Sequence, residues 1–367
     1  MAEKDGMNYA PTAARTEKVV SPGEFFFAAT HLDHGHINGQ CNGLREAGGQ
    51  LKYIYEPNPA NQGTIDSLLT HNPEAQVVSS LEAILDDESI KLVTAAAVPN
   101  LRGPLGCQVM EAGKDYFTDK CPFTTLDQLA DAREIAERTG QKYLVYFSER
   151  IHTEAAWYAD ELIQNGAIGD IVHMEIFGPH SLKKPSRPDW FFVKEQYGGV
   201  LTDIASHQFE QFLHYTRQQG GEILHARVDN FSNPDKPEFE DVGDAVLLLD
   251  NGVSCFSKVN WFTPPTMRGW GDGRTFITGT KGVIEIRKYF DFGKSDNGDH
   301  IILCNEDGEQ YLSVAGDVGF PFFGQLILDC LNRTENAMTQ AHAFKAAELS
   351  LRAQALADTN RTVLSAV

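Results

Sequence analysis

Two short stretches of this chain carry side chains whose types and spacing could do alcohol chemistry. The first is Gly198-Gly199-Val200-Leu201-Thr202-Asp203-Ile204-Ala205-Ser206-His207. The paired glycines permit an unusual backbone path, and the residues after them read as helix. On a helix Asp203 and His207 stand i, i+4 on one face. A carboxylate beside an imidazole orients it and raises its basicity, so His207 could serve as general base for a hydroxyl proton. The same pattern also fits a capped helix with an internally satisfied pair. The second stretch is Asp119-Lys120-Cys121-Pro122, which follows the expected strand Asp115–Thr118. A lysine at the carboxyl end of a parallel strand points into the ligand crevice, where it can hold or polarise a hydroxyl. The plain alternative is a surface lysine.

A third stretch bears on a cofactor. The turn Thr30-His31-Leu32-Asp33-His34-Gly35-His36 follows the first expected strand. A dinucleotide-binding fold carries G-x-G-x-x-G at this turn, because glycines let the backbone approach a pyrophosphate. Here His31, Asp33 and His36 take the glycine places, and only Gly35 supplies backbone freedom. Asp33 would repel a pyrophosphate that it faced, but the helix N-terminus behind the turn could still receive an anion. Histidines and an aspartate so close together also raise a metal site. No second His/Cys/Glu cluster lies nearby in sequence to complete it, and no metal is expected. Glu56 ends the second expected strand, where an acid can bond the adenosine ribose and disfavour a 2′-phosphate. That points to NAD over NADP. Val98-Pro99-Asn100 follows a further strand, and small residues there would let the backbone pass beneath a flat ring.

These residues need elements to position them. From Phe25 to Phe147 short apolar strands alternate with helices, expected at 24–30, 51–55, 75–78, 90–97, 115–118 and 142–147. That is the grammar of βαβ units in a doubly wound parallel sheet, with ligands at the carboxyl ends of the strands. After residue 150 the grammar changes. Helices are expected at 153–165 and within 199–216. Longer strands with hairpin turns follow: 168–177, 222–229, 245–249, 252–261, 275–279 and 282–288. The stretch 319–357 reads as helical. The expected domains are a flexible polar arm at 1–22, a Rossmann-like α/β domain at 23–148, and an α+β domain at 149–367 with a large, mostly antiparallel open sheet.

Composition narrows the partners. The 367 residues carry a net charge of -20, which argues against nucleic acid and anionic membranes, since both need a basic face. The six cysteines are scattered without a C-x-x-C pair, so reduced, mostly buried thiols are expected. With no secretory signal and no apolar stretch long enough for a bilayer, a cytoplasmic protein is expected.

Taken together, the strand-end lysine and the Gly-Gly-x-x-x-Asp-x-x-x-His helix resemble the glucose-fructose oxidoreductase / inositol dehydrogenase family over residues 24 to 355. In that family the lysine lies in Glu-Lys-Pro, matched here by Asp119-Lys120-Cys121. The family helix reads Gly-Gly-x-x-x-Asp-x-Gly-x-His, and Ala205 replaces its third glycine. The resemblance implies that Lys120, Asp203 and His207 form the catalytic group and also touch substrate. It implies an NAD-dependent dehydrogenase acting on a sugar, cyclitol or related polyol, assembled as a homodimer or homotetramer. Aromatic Trp190, in Pro188-Asp189-Trp190-Phe191-Phe192, could stack on a sugar face or simply pack in the core. His180, Arg187 and Tyr289 are further pocket candidates. An NAD-assisted lyase or glycosidase on the same scaffold, and a sugar-binding protein without catalysis, remain open alternatives.

Overall fold

A computed structural model describes residues 17–365. It falls into two compact units. One holds the described residues up to Phe147 together with Phe320–Phe344, and the other holds Ser148–Gly319 and the described residues from Lys345 onward.

The first unit is built on a six-stranded parallel sheet. Its strands are β1 (Phe26–Thr30), β2 (Gln50–Tyr55), β3 (Gln76–Val77), β4 (Ile90–Ala95), β5 (Asp115–Asp119) and β6 (Tyr143–Tyr146). Their order is β3-β2-β1-β4-β5-β6, the doubly wound arrangement, which reverses direction between β1 and β4. β4, β5 and β6 are buried nearly end to end, as strands covered on both faces must be. Helix His36–Glu46 packs against helix Phe322–Asn332, and Gly43 permits this because a Cβ there would overlap the Phe323 ring. Helix Leu126–Thr139 begins with the Thr125 hydroxyl accepting from Gln128 N at 3.2 Å and ends at left-handed Gly140.

The second unit carries an eight-stranded sheet: β7 (Ile171–Pro179), β8 (Gly221–Asp229), β9 (Val242–Leu249), β10 (Ser254–Asn260), β11 (Arg274–Gly279), β12 (Gly282–Arg287), β13 (His300–Asn305) and β14 (Gly308–Ser313). The order is β14-β13-β12-β11-β7-β10-β9-β8, antiparallel except for the β7–β10 pair. Alternate residues of β9 and β10 are buried, so one face meets the core. Half-buried Phe256, Phe177 and Phe276 run ring to ring across the opposite face, at 6.2 and 5.9 Å.

Several expectations need correction. Strands β13 and β14 had no counterpart in the sequence reading. β14 is a largely exposed edge whose polar residues hide the period-two signal. The C-terminal stretch is two helices, Phe322–Asn332 and Gln340–Ser365, separated where Arg333 turns left-handed. Residues 320–344 belong to the first unit rather than to a domain running from 149 to the end. Most of the expected arm lies outside the described residues, but Val19 N donates to Ala47 O at 3.0 Å. The region 199–216 breaks into helices Val200–Asp203 and Ser206–Thr216. Among the described residues no helix is long and apolar enough to cross a membrane.

Candidate active site

The turn after β1 stands where a nucleotide-binding turn would, without its glycines. His31 sits at φ 49°, in the left-handed region that a glycine would take without cost. Its N–H donates to Tyr55 O at 3.3 Å, while its carbonyl accepts from Ala96 N at 3.1 Å. The turn is thereby bound to the carboxyl ends of both neighbouring strands. Asp33 does not point back at its own turn: Asn58 and Asn61 hold its carboxylate at 3.3 and 3.1 Å. Glu56 accepts from Leu32 N and from Asn58 N, the latter at 2.7 Å. Burial raises the Glu56 pKa, and the Asn58 and Leu32 amides oppose that rise.

The amides of Asp33 and Gly35 donate to no protein acceptor among the described residues. A Cβ added at Gly35 would meet nothing within 4 Å. Two open N–H groups beside a helix start, and open space above them, suit the pyrophosphate of NAD. Glu56 follows β2 directly, and its carboxylate and that of Asp33 both bond Asn58. The residues present therefore fit the cofactor.

His36 fills the third glycine place in a different way. It is buried, and its Nδ1 donates to Asp119 Oδ1 at 2.7 Å, tying the helix start to the end of β5. Asp119 is the hub of this end of the sheet. Its Oδ1 also accepts from Lys120 N at 2.8 Å, and its Oδ2 meets Arg102 Nη2 at 3.1 Å and His34 Nδ1 at 3.3 Å. Burial alone would raise the Asp119 pKa, but the His36 and Arg102 charges hold it well below the usual carboxylate range. Burial and the neighbouring His36 press His34 well below its ordinary 6.5, so at neutral pH it adds no charge to the turn. Among the described residues, His34, His36 and Asp119 are the one group near enough together to share a metal ion. Both Asp119 oxygens are already engaged, however, and the buried Arg102 guanidinium would repel a cation there.

Lys120 follows directly at the carboxyl end of β5 and is 8% exposed. Its peptide bond to Cys121 is cis. Arg102 donates to the Lys120 carbonyl, to Cys121 O at 3.1 Å and to Ala97 O at 2.7 Å, lacing the ends of β4 and β5 together. Nothing in Leu101-Arg102-Gly103-Pro104 marks this arginine in the sequence. Val98 caps helix Pro99–Glu111, and Pro99 takes its first position. The buried Asn100 Oδ1 has no hydrogen-bond partner.

His207 and Asp203 belong to the second unit. No single unbroken helix carries both: Asp203 closes the helix Val200–Asp203 and His207 lies in the first turn of the next. Both are buried. His207 lines a cavity with Glu149, Thr153, His180, Gln208 and Lys288. His180 Nδ1 donates to Gly178 O at 3.0 Å, which leaves Nε2 facing Glu149 Oε1 at 4.0 Å. Tyr289 reaches the same carboxylate through its hydroxyl at 3.0 Å. Trp190 and Asp203 are not in this lining. Trp190 packs edge-on against Phe191 at 5.8 Å, and Arg187 stacks on Phe191 and Trp261 at 4.4 and 5.0 Å. Glu149 and Lys288 were missed from sequence, since a lone acid and a lone lysine far apart carry no motif.

A model of the oxidoreductase family with an NAD-binding Rossmann fold matches residues 25–147, and one of the GFO/IDH/MocA C-terminal domain matches residues 157–285. A crystal structure from Erwinia carotovora atroseptica SCRI1043 superposes with a TM-score of 0.87 at 43% identity, covering 91% of this chain and 98% of that one. An uncharacterised oxidoreductase of Streptococcus pneumoniae is 22% identical over 72% of this chain and 69% of its own length. The NAD(+)-linked scyllo-inositol 2-dehydrogenase of Bacillus subtilis is 26% identical over 55% of this chain and 57% of its own length. Levoglucosan dehydrogenase in complex with NADH and levoglucosan shares the fold, with a TM-score of 0.75 at 17% identity over 92% of this chain and 97% of that one.

Proposed function

This chain belongs to the GFO/IDH/MocA family of oxidoreductases, and we propose that it interconverts a secondary hydroxyl and a ketone on a sugar, cyclitol or related polyol. It is an enzyme, and its first unit is an NAD-binding Rossmann domain. The observation that carries the reading is Lys120: a buried lysine at the carboxyl end of β5, on the same end of the sheet as the open turn after β1.

In the turn, the Asp33 and Gly35 amides would hold the pyrophosphate, with Glu56 on the adenosine ribose and Val98, Pro99 and Asn100 along the nicotinamide. Bound there, the nicotinamide ring supplies the hydride acceptor. Lys120 donates a hydrogen bond to the substrate oxygen and stabilises its developing negative charge. His207 holds the hydroxyl proton, and Asp203 acts as its positioning residue. His180 contributes to the substrate pocket from the cavity it shares with His207. Relatives that act on inositol and levoglucosan support the substrate class. Two acids on the adenosine side support NAD over NADP. The aromatic row Phe256–Phe177–Phe276 supports a homo-oligomer formed through the second sheet, and a cytoplasmic location completes the proposal.

Titration of the purified protein with NADH and NADPH, followed by fluorescence, tests the cofactor half. NADH is expected to bind at least tenfold tighter than NADPH, and Glu56→Gln is expected to narrow that gap by removing the charge that opposes a 2′-phosphate. A polyol screen with NAD+ then tests the chemistry. Binding of neither dinucleotide would sink the dehydrogenase reading.

A further inference from the structure

We propose that Glu149 and Lys288 together set the basicity of His207, the Glu149 carboxylate acting as counter-charge to the imidazolium formed when His207 takes a hydroxyl proton. The inference rests on His207 being the base, as proposed above. Glu149 is thus assigned as a positioning residue that acts through His207.

Glu149 lies in the helical turn Ser148–Ile151 and lines the same cavity as His207. Lys288, Tyr289 and His180 face its carboxylate. Lys288, just after β12, brings Nζ to 2.8 Å from Oε1. Tyr289 donates its hydroxyl at 3.0 Å, and His180, just after β7, brings Nε2 to 4.0 Å. His207 enters from the helix Ser206–Thr216. The other cations nearby are engaged elsewhere: Arg274 meets Asp272 at 2.8 Å, and Arg150 meets Glu210 at 2.6 Å. Burial alone would raise the Glu149 pKa, but Lys288, His207 and His180 hold it well below the usual carboxylate range. Glu149 therefore stays charged at every pH at which His207 could act as a base.

Glu149 and Lys288 sum to zero charge, and Arg274, which also lines the cavity, is paired with Asp272. A proton moving from the substrate oxygen to the His207 ring adds one positive charge, and no bond to Glu149 forms or breaks. Among side chains this buried, charges are weakly screened, so the Glu149 carboxylate favours that step. Lys288 limits the effect, because its charge opposes a positive charge on the ring. The two residues should therefore act in opposite directions.

The test follows the His207 ring by NMR in the full chain, without substrate, using histidine labelled at Cε1 and His207→Asn to assign the signal. Glu149→Gln is expected to lower the titration midpoint by about one pH unit, a tenfold loss of proton affinity. Lys288→Met is expected to raise it, and Glu149→Asp to restore most of the wild-type value. The acid limb of the kcat/KM profile should move in the same sense. Thermal melts report whether each variant folds, and two variants at different positions keep the test usable if one does not. Midpoints that stay fixed, or that both move the same way, overturn the proposal, since a merely structural role would loosen the cavity alike in both. The ring titration needs no turnover. A failed polyol screen would thus refute the proposed reaction and leave the coupling of these charges measurable on its own.

Discussion

Lys120→Met is expected to lower kcat by roughly a hundred- to a thousandfold, the usual cost of removing one preorganised donor from a developing oxyanion. NADH affinity should stay close to wild type. The substitution keeps the length and apolar stem of the side chain and removes only the ammonium. The main chain on either side is fixed independently of that ammonium: the Lys120 amide donates to Asp119 Oδ1 at 2.8 Å, and the Lys120 carbonyl accepts from Arg102. The fold around the residue should therefore survive, and melting curves should confirm it. Equal losses in turnover and in NADH binding would mean that Lys120 serves the cofactor rather than the reacting oxygen.

The carboxyl end of the first sheet was legible in sequence to an uneven degree. The strands were readable because β1, β4 and β5 are short apolar runs closed by polar turns, and their alternation with helices leaves little choice of topology. Lys120 was readable from its place after such a run. The turn His31–His36 was legible as a position and illegible as chemistry. Sequence showed three glycines replaced; it could not show that His31 adopts the left-handed conformation in place of a glycine, or that Asn58 and Asn61 draw Asp33 aside. Side-chain direction in a loop depends on partners some 25 residues away, and no local pattern encodes it. The second unit was harder. Glycines at 198 and 199 signalled an unusual path, yet the break at Ile204-Ala205 carries neither proline nor glycine. Glu149 and Lys288 meet only because the sheet brings the chain after β12 back beneath the helical turn Ser148–Ile151. Arg102 was silent for a related reason: a buried arginine in a helix reads as an exposed one until its carboxylate is located.

That arginine gives the largest expected effect on stability. Arg102 and Asp119 are 1% and 0% exposed, and the guanidinium meets Asp119 Oδ2 at 3.1 Å. Removing one partner of a buried ion pair strands the other charge, at a typical cost of about 3–5 kcal/mol. Arg102→Met fills most of the volume and leaves Asp119 without its guanidinium, so a clear fall in melting temperature is expected at pH 7. The sign with pH follows from the wild-type carboxyl, which is held below its unfolded value. Its stabilising share is present above pH 4 and is lost as pH falls through the folded pKa. In the variant Asp119 can relieve the stranded charge by taking up a proton. The gap between variant and wild type should therefore be widest at neutral pH and shrink toward pH 4. Adding Asp119→Asn to Arg102→Met removes the stranded charge outright and should recover much of the loss at pH 7. A variant that melts like wild type at pH 7 would show that the pair contributes nothing net. A deficit that does not depend on pH would assign the role of Arg102 to its bonds with the Ala97, Lys120 and Cys121 carbonyls, which lace β4 to β5 whatever the charge on Asp119.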